Sequence, residues 1–147
     1  MADINHALAS NGGEYSNSGF TSPQLSNDGS TGTYAYVTSG STGTLTITFD
    51  SVNITSAVAY AWKSPTSGGM DFQVSLYYSG GWNVVGSDTA YGGDSVTAFT
   101  YNGSWTGVTG IKFYISAVIG GGAGGLYELE AWGAEAEIDN NKMFLLF

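Results

Sequence analysis

Apolar and polar residues alternate one by one over much of this chain, the two-residue period of strands buried on one face. In Thr44–Phe49, Leu45, Ile47 and Phe49 share one face and Thr44, Thr46 and Thr48 the other. In Phe72–Tyr78 the inward set is Phe72, Val74, Leu76 and Tyr78. Ile111, Phe113 and Ile115 alternate with Lys112, Tyr114 and Ser116. Val58, Tyr60 and Trp62 alternate with Ala57, Ala59 and Ala61, a strand with one nearly bare face. These Thr, Val, Ile, Tyr and Trp residues suit a pleated surface. Before Ala134 no long stretch places apolar residues at helical spacing.

Glycine-rich turns punctuate the strands. Ser79-Gly80-Gly81 joins Phe72–Tyr78 to Trp82–Val85, which predicts a hairpin. Gly92-Gly93-Asp94 precedes another strand at Val96–Tyr101. The Gly120–Gly125 run is flexible enough to link two domains. A strand-like LYELEAW follows it at once, so it reads as a loop inside one domain. Residues 11–43 are mostly Ser, Thr, Asn and Gly, with Tyr15, Phe20, Leu25, Tyr34, Tyr36 and Val37 as core candidates. Many short strands in 147 residues predict a single all-β domain, an antiparallel β-sandwich.

Composition narrows the chemistry. The net charge is −9 and the only cations are Lys63, Lys112 and Lys142. A nucleic-acid binder needs cations to displace phosphate counterions, and an anionic membrane repels an acidic protein, so neither is an expected partner. With no Cys there is no disulfide, thiolate nucleophile or thiolate metal ligand. A single histidine, His6, is a poor basis for a catalytic triad or a zinc site and reads as a polar surface residue. The opening MADINHALAS lacks the basic and apolar regions of a secretory signal, and no run approaches the length of a membrane span.

Six segments, in order, resemble the discoidin-like, or coagulation-factor C-type, modules. They are ALAS at 7–10, SNDGSTGT at 26–33, GTLTITFDSVNITSAVAY at 43–60, FQVSLYYSGGWNVVGSDT at 72–89, IKFYISA at 111–117 and LYELEAWG at 126–133. These modules are galactose-binding-like jelly rolls that include many bacterial carbohydrate-binding modules. Two departures stand out: Tyr34 or Tyr36 is nearest to the usual Trp after the Asp-Gly loop, and Gly110 replaces a basic residue.

The resemblance implies a structural Ca²⁺ held by Asp28, Ser30, Thr33 and Glu128 with the Leu25 and Tyr127 carbonyls. Hard cations take such oxygen sets, and Ser30 in place of the usual Asp removes one charge. The bland alternative is that Asp28-Gly29 is a turn and Glu128 an exposed strand carboxylate. The resemblance also implies glycan binding on loops at one end of the sandwich. Candidates are Trp62 with Lys63, Tyr91 beside Asp88 and Asp94, and Trp105 with Asn102. Trp62 divides evenly between core and sugar platform, Trp105 leans to a loop role, and Trp82 falls at the family's core tryptophan position. The net charge of −9 favours a neutral glycan over an acidic polymer at low salt. Glu128 and Glu130, two apart in a strand, share a face as a hydrolase pair would, but calcium ligation or solvent exposure is the stronger reading, and no enzyme is expected.

After the last strand, AEAEIDNNKMFLLF lies outside the family pattern. Ile138 and the run Met143, Phe144, Leu145, Leu146, Phe147 would be costly to expose, which suggests contact with a second copy or a neighbouring protein. The expectation is a non-catalytic glycan-binding module displayed on a phage virion, or alternatively extracellular. The competing class is a purely structural virion component with no glycan ligand.

Overall fold

The computed structural model describes residues 3–64, 67–92 and 96–135. They form eight strands: β1 (Asp3–Asn5), β2 (Glu14–Ser18), β3 (Ala35–Thr38), β4 (Gly43–Ser64), β5 (Gly69–Tyr78), β6 (Gly81–Tyr91), β7 (Thr97–Ile119) and β8 (Ala123–Ala134). All pairings are antiparallel, and two 3-10 turns, Ala9–Asn11 and Pro23–Asn27, complete the described elements. No helix among the described residues is long and apolar enough to cross a membrane.

The sandwich is one continuous sheet folded over itself by two long strands. The first half of β4 and the second half of β7 lie in one layer with β2, β5 and β6. Their other halves lie in the second layer with β8, to which β1 and β3 add at opposite ends. Bulges between Thr48 and Val52, Val52 and Ile54, and Ile54 and Ser56 carry β4 from layer to layer. Each extra residue bends the strand and tightens its twist. The expected strands at 44–49 and 57–62 are therefore two halves of one element, as are those at 96–101 and 111–116.

The bare alanine face turns inward: Ala57, Ala59 and Ala61 are fully buried. The space they leave is filled by rings. Phe72 stacks on Phe113 at 4.9 Å and meets Phe99 of the opposite layer edge-on at 5.0 Å. Met70 lies against Gly124, where any side chain on β8 would collide with it. At the open side of the sandwich a Cβ on Gly86 would fall inside the Tyr101 ring, so glycine is what lets Tyr101 close that edge. The hairpin at Ser79-Gly80 is as expected, with both residues at positive φ (53° and 79°) and Tyr78 paired to Gly81. The Gly120–Gly125 run is part of this one domain, since Gly124 and Gly125 belong to β8.

His6 is not a surface residue. It is 8% exposed, and its Nε2 bonds the Ala134 carbonyl at 3.0 Å, helping β1 hold the end of β8.

Candidate functional site

The Asp28 loop is built from local rules. Pro23 opens the 3-10 turn, where a missing N–H costs nothing, and the Ser26 hydroxyl returns to the Pro23 carbonyl at 2.7 Å. Asn27 is buried and donates to the Ala7 and Gly13 carbonyls, pinning the turn beneath the first strands. Asp28 then accepts from the Ser30 amide at 2.9 Å and the Thr33 hydroxyl at 2.6 Å, an Asx-type turn. Gly29, at φ 82°, aims its amide at Glu128 Oε1, 3.1 Å away.

Glu128 is no exposed strand carboxylate. It is 1% exposed, and its Oε2 has no hydrogen-bond partner. Burial pushes its carboxyl up to about 8; the Gly29 amide opposes this shift, while the charges of Asp28 and Glu130, and a side-chain contact with Asp28 that favours the protonated form, add to it. A buried acceptor oxygen without a donor, beside a second carboxylate, is an arrangement that a hard cation completes. The structure thus gathers Asp28, Ser30, Thr33 and Glu128. Leu25 sits in the preceding turn, and Tyr127 is the extra residue at the β8 bulge, where Tyr60 pairs with Glu128 and Ala61 with Leu126. These residues fit Ca²⁺, although no cluster of three or more His, Cys, Asp or Glu occurs among the described residues.

Next to this loop in sequence stands an aromatic cluster. Tyr34 meets Trp62 edge-on at 4.9 Å and Tyr127 at 5.4 Å, and Trp62 meets Tyr127 at 6.2 Å. Trp62 is half-buried on the outer face of β4, while Tyr34 is 41% exposed. The Trp62 indole N–H has no hydrogen-bond partner, and edge-to-face packing on two tyrosines holds the ring. Trp62 is thus neither core nor an isolated platform. The sequence offered Tyr34 as a core candidate and as a stand-in for a missing Trp; at 41% exposure it is not core, and its contacts make it the exposed member of the cluster.

Lys63 does not accompany Trp62 in a sugar site. It is 3% exposed, and its ammonium donates to the carbonyls of Ser64, Ser67 and Gly121 at 3.0–3.2 Å. Successive residues in a strand point to opposite faces, so when Trp62 faces out its neighbour turns in. Lys63 staples two loops together.

Trp105 and Asn102 are corrected as well. Both lie in β7, not in a loop; Trp105 pairs with Ile54 and packs on the core, and Asn102 pairs with Ser56. Asp88 accepts from the Tyr101 hydroxyl at 2.8 Å and so is engaged in closing the sandwich edge. Tyr91 ends β6 and is 63% exposed. Asp94, Ile138, Met143, Phe144, Leu145, Leu146 and Phe147 lie outside the described residues. Trp82 is not in the core: it is 38% exposed on the outer sheet face, with the Lys112 ammonium 4.5 Å from its ring centroid. Glu130 is half-buried and accepts from the Trp132 indole at 2.9 Å.

Solved structures share this architecture. The family 32 carbohydrate-binding module of Clostridium perfringens NanJ, solved with galactose, superposes with a TM-score of 0.67 at 13% identity, over 89% of this chain and 99% of that one. The chain has the fold of a family 32 carbohydrate-binding module. Another such module from C. perfringens, solved with GalNAc-β-1,3-galactose, gives 0.65 at 13% identity over 88% and 100% of the two chains. A chitosan-binding module of a Paenibacillus chitosanase/glucanase gives 0.61 at 21% identity over 88% and 99%. No protein-family model matches the sequence, and no curated protein matches it. The discoidin-like resemblance of the six segments is thus a resemblance of fold.

Proposed function

We propose that this chain is a non-catalytic glycan-binding module whose sugar platform is the Tyr34–Trp62–Tyr127 cluster. The observation that carries the reading is Tyr34: a 41% exposed ring just before β3, held by an edge-on contact to Trp62 and a tilted one to Tyr127. Rings held by other rings lose little entropy when a sugar face stacks on them. The fold is shared with modules solved in complex with galactose and GalNAc-β-1,3-galactose, which supports the ligand class. The carboxylates fit binding better than hydrolysis, since Glu128 is buried against Gly29 and Glu130 is held by Trp132. The Asp28–Glu128 loop would hold Ca²⁺ and so fix the backbone that leads into Tyr34. Display in many copies, as on a virion, suits such a platform, because avidity multiplies weak single-site binding. Titration with galactose, galactosamine and mannose oligosaccharides, repeated with Tyr34→Ala, tests the assignment. Binding by the wild type and its loss in a normally folded variant is the expected result.

A further inference from the structure

The outer face of the first layer is used neither by the cation loop nor by the aromatic cluster. Register places Gly110, Tyr77 and Trp82 in one row across the strands, Lys112 and Val84 in the next, and Tyr114 in the third. Trp82 reaches across its row: a Cβ on Gly110 would come within 3.1 Å of its indole, so the glycine leaves the ring room to lie over the sheet. Tyr77 braces it edge-on at 5.3 Å, and the Lys112 ammonium sits 4.5 Å from the ring centroid. Trp82, Val84 and Tyr114 are 38%, 57% and 36% exposed. Lys63 is buried under three carbonyls, so Lys112 is the one cation among the described residues that a ligand can reach. Its ammonium meets the Trp82 indole.

We propose that this face is a second carbohydrate-binding surface, one that takes an extended polysaccharide carrying carboxylates. Trp82 and Tyr114 stack sugar rings and Lys112 meets a carboxylate. Thr44 and Thr46, beside Tyr114 and Lys112 in the register, offer hydroxyls to the same chain. From Gly110 to Tyr114 is four strand residues, ~13 Å at ~3.3 Å each, which accommodates more than one ring. The net charge of −9 opposes an acidic polymer at long range. At physiological salt the screening length is about 8 Å, so a direct contact at Lys112 outweighs carboxylates beyond that range. Two carboxylates share this face: Asp71, engaged by the Thr89 hydroxyl at 2.6 Å, and exposed Glu14 on β2, two strands from Gly110 in the row of Trp82 and outside the row of Lys112.

The surface is separate from the Tyr34 platform, so the two readings fail separately. Calorimetric titration at 0.15 M salt would use polygalacturonate and its fully methyl-esterified form as probes. Wild type, Lys112→Met, Lys112→Arg and Trp82→Ala would be compared, with melting curves to establish folding. The expected result is at least tenfold tighter binding of the free acid than of the ester. Lys112→Met and Trp82→Ala should each lose tenfold or more of the affinity for the free acid, while Lys112→Arg binds as wild type. Should Trp82→Ala fail to fold, Lys112→Met, a change at a half-buried side chain on the outer face, decides alone. Absence of wild-type binding, or unchanged binding of the free acid by folded Lys112→Met, would each overturn the proposal. So would a wild-type dimer that Trp82→Ala abolishes without polymer binding, which would assign the face to a second copy.

Discussion

The backbone amide of Gly29 donates to the Glu128 carboxylate at 3.1 Å, joining the Asp28 loop to the last strand across 99 positions of sequence. One carboxylate oxygen is satisfied by this bond and the other has no partner, so the contact holds the loop in place while leaving a buried acceptor to be completed.

That half-satisfied carboxylate sets a pH dependence. The Glu128 pKa is pushed up to about 8 from an ordinary 4.5, so between those values the folded protein holds a proton that the unfolded chain releases. Stability therefore falls as pH rises through this window. In EDTA the Tm should drop by several degrees from pH 5 to pH 8. Glu128→Gln should remove most of the drop, the rest coming from Glu130, whose carboxyl burial also raises. Calcium needs the ionised carboxylate, so millimolar Ca²⁺ should raise Tm most at pH 8 and flatten the profile. A Tm that rises from pH 5 to pH 8 in EDTA, or that ignores Ca²⁺, contradicts this account of the loop.

Lys63→Met keeps the length of the side chain and removes its charge. The carbonyls of Ser64, Ser67 and Gly121 then lose their donor. The expected cost is about 3 kcal/mol, a fall in Tm on the order of 10 °C. Sugar affinity measured well below the new Tm should be unchanged, because the ammonium faces protein and not solvent. Reduced affinity in a fully folded Lys63→Met protein would return Lys63 to the binding site.

Gly86→Ala should displace Tyr101 and open the edge of the sandwich. Overpacking of this kind costs about 1–3 kcal/mol in denaturant titration. Tyr101→Phe keeps the ring and loses only the hydrogen bond to Asp88, for a smaller cost of about 1 kcal/mol. Burial, followed by the bond to Asp88, raises the Tyr101 pKa, so the hydroxyl stays protonated throughout the working pH range. If Gly86→Ala proves neutral, Tyr101 is not what closes that edge.

Legibility in the sequence followed the regularity of the backbone. Where strands run straight, period-two alternation found the core: Leu45, Ile47, Phe72, Val74, Leu76, Ile111, Phe113 and Ile115 are all buried. Bulges break that period, so Trp105 leaned to a loop role, although residues 102–110 continue β7. Trp82 was misplaced for another reason. Its outward position depends on pairing with Tyr77 and on the room at Gly110, which are contacts across strands and not a local pattern. Lys63 beside Trp62 looked like a polar–aromatic sugar pair because sequence adjacency hides that neighbours in a strand face opposite ways. The Asp28 loop was readable through its likeness to a known family. The Gly29 amide that completes the contact with Glu128 has no side chain to announce it.

We propose that the exposed aromatic cluster binds sugar without cleaving it. The most direct measurement is a glycan microarray probed with a multivalent form of the wild-type protein and of Tyr34→Ala, with product analysis of each bound glycan. Expected are binding to at least one glycan class, no cleavage products, and loss of signal in a Tyr34→Ala protein whose melting curve matches wild type. Retention of that signal by the folded variant, or glycan fragments released by the wild type, would contradict the proposal.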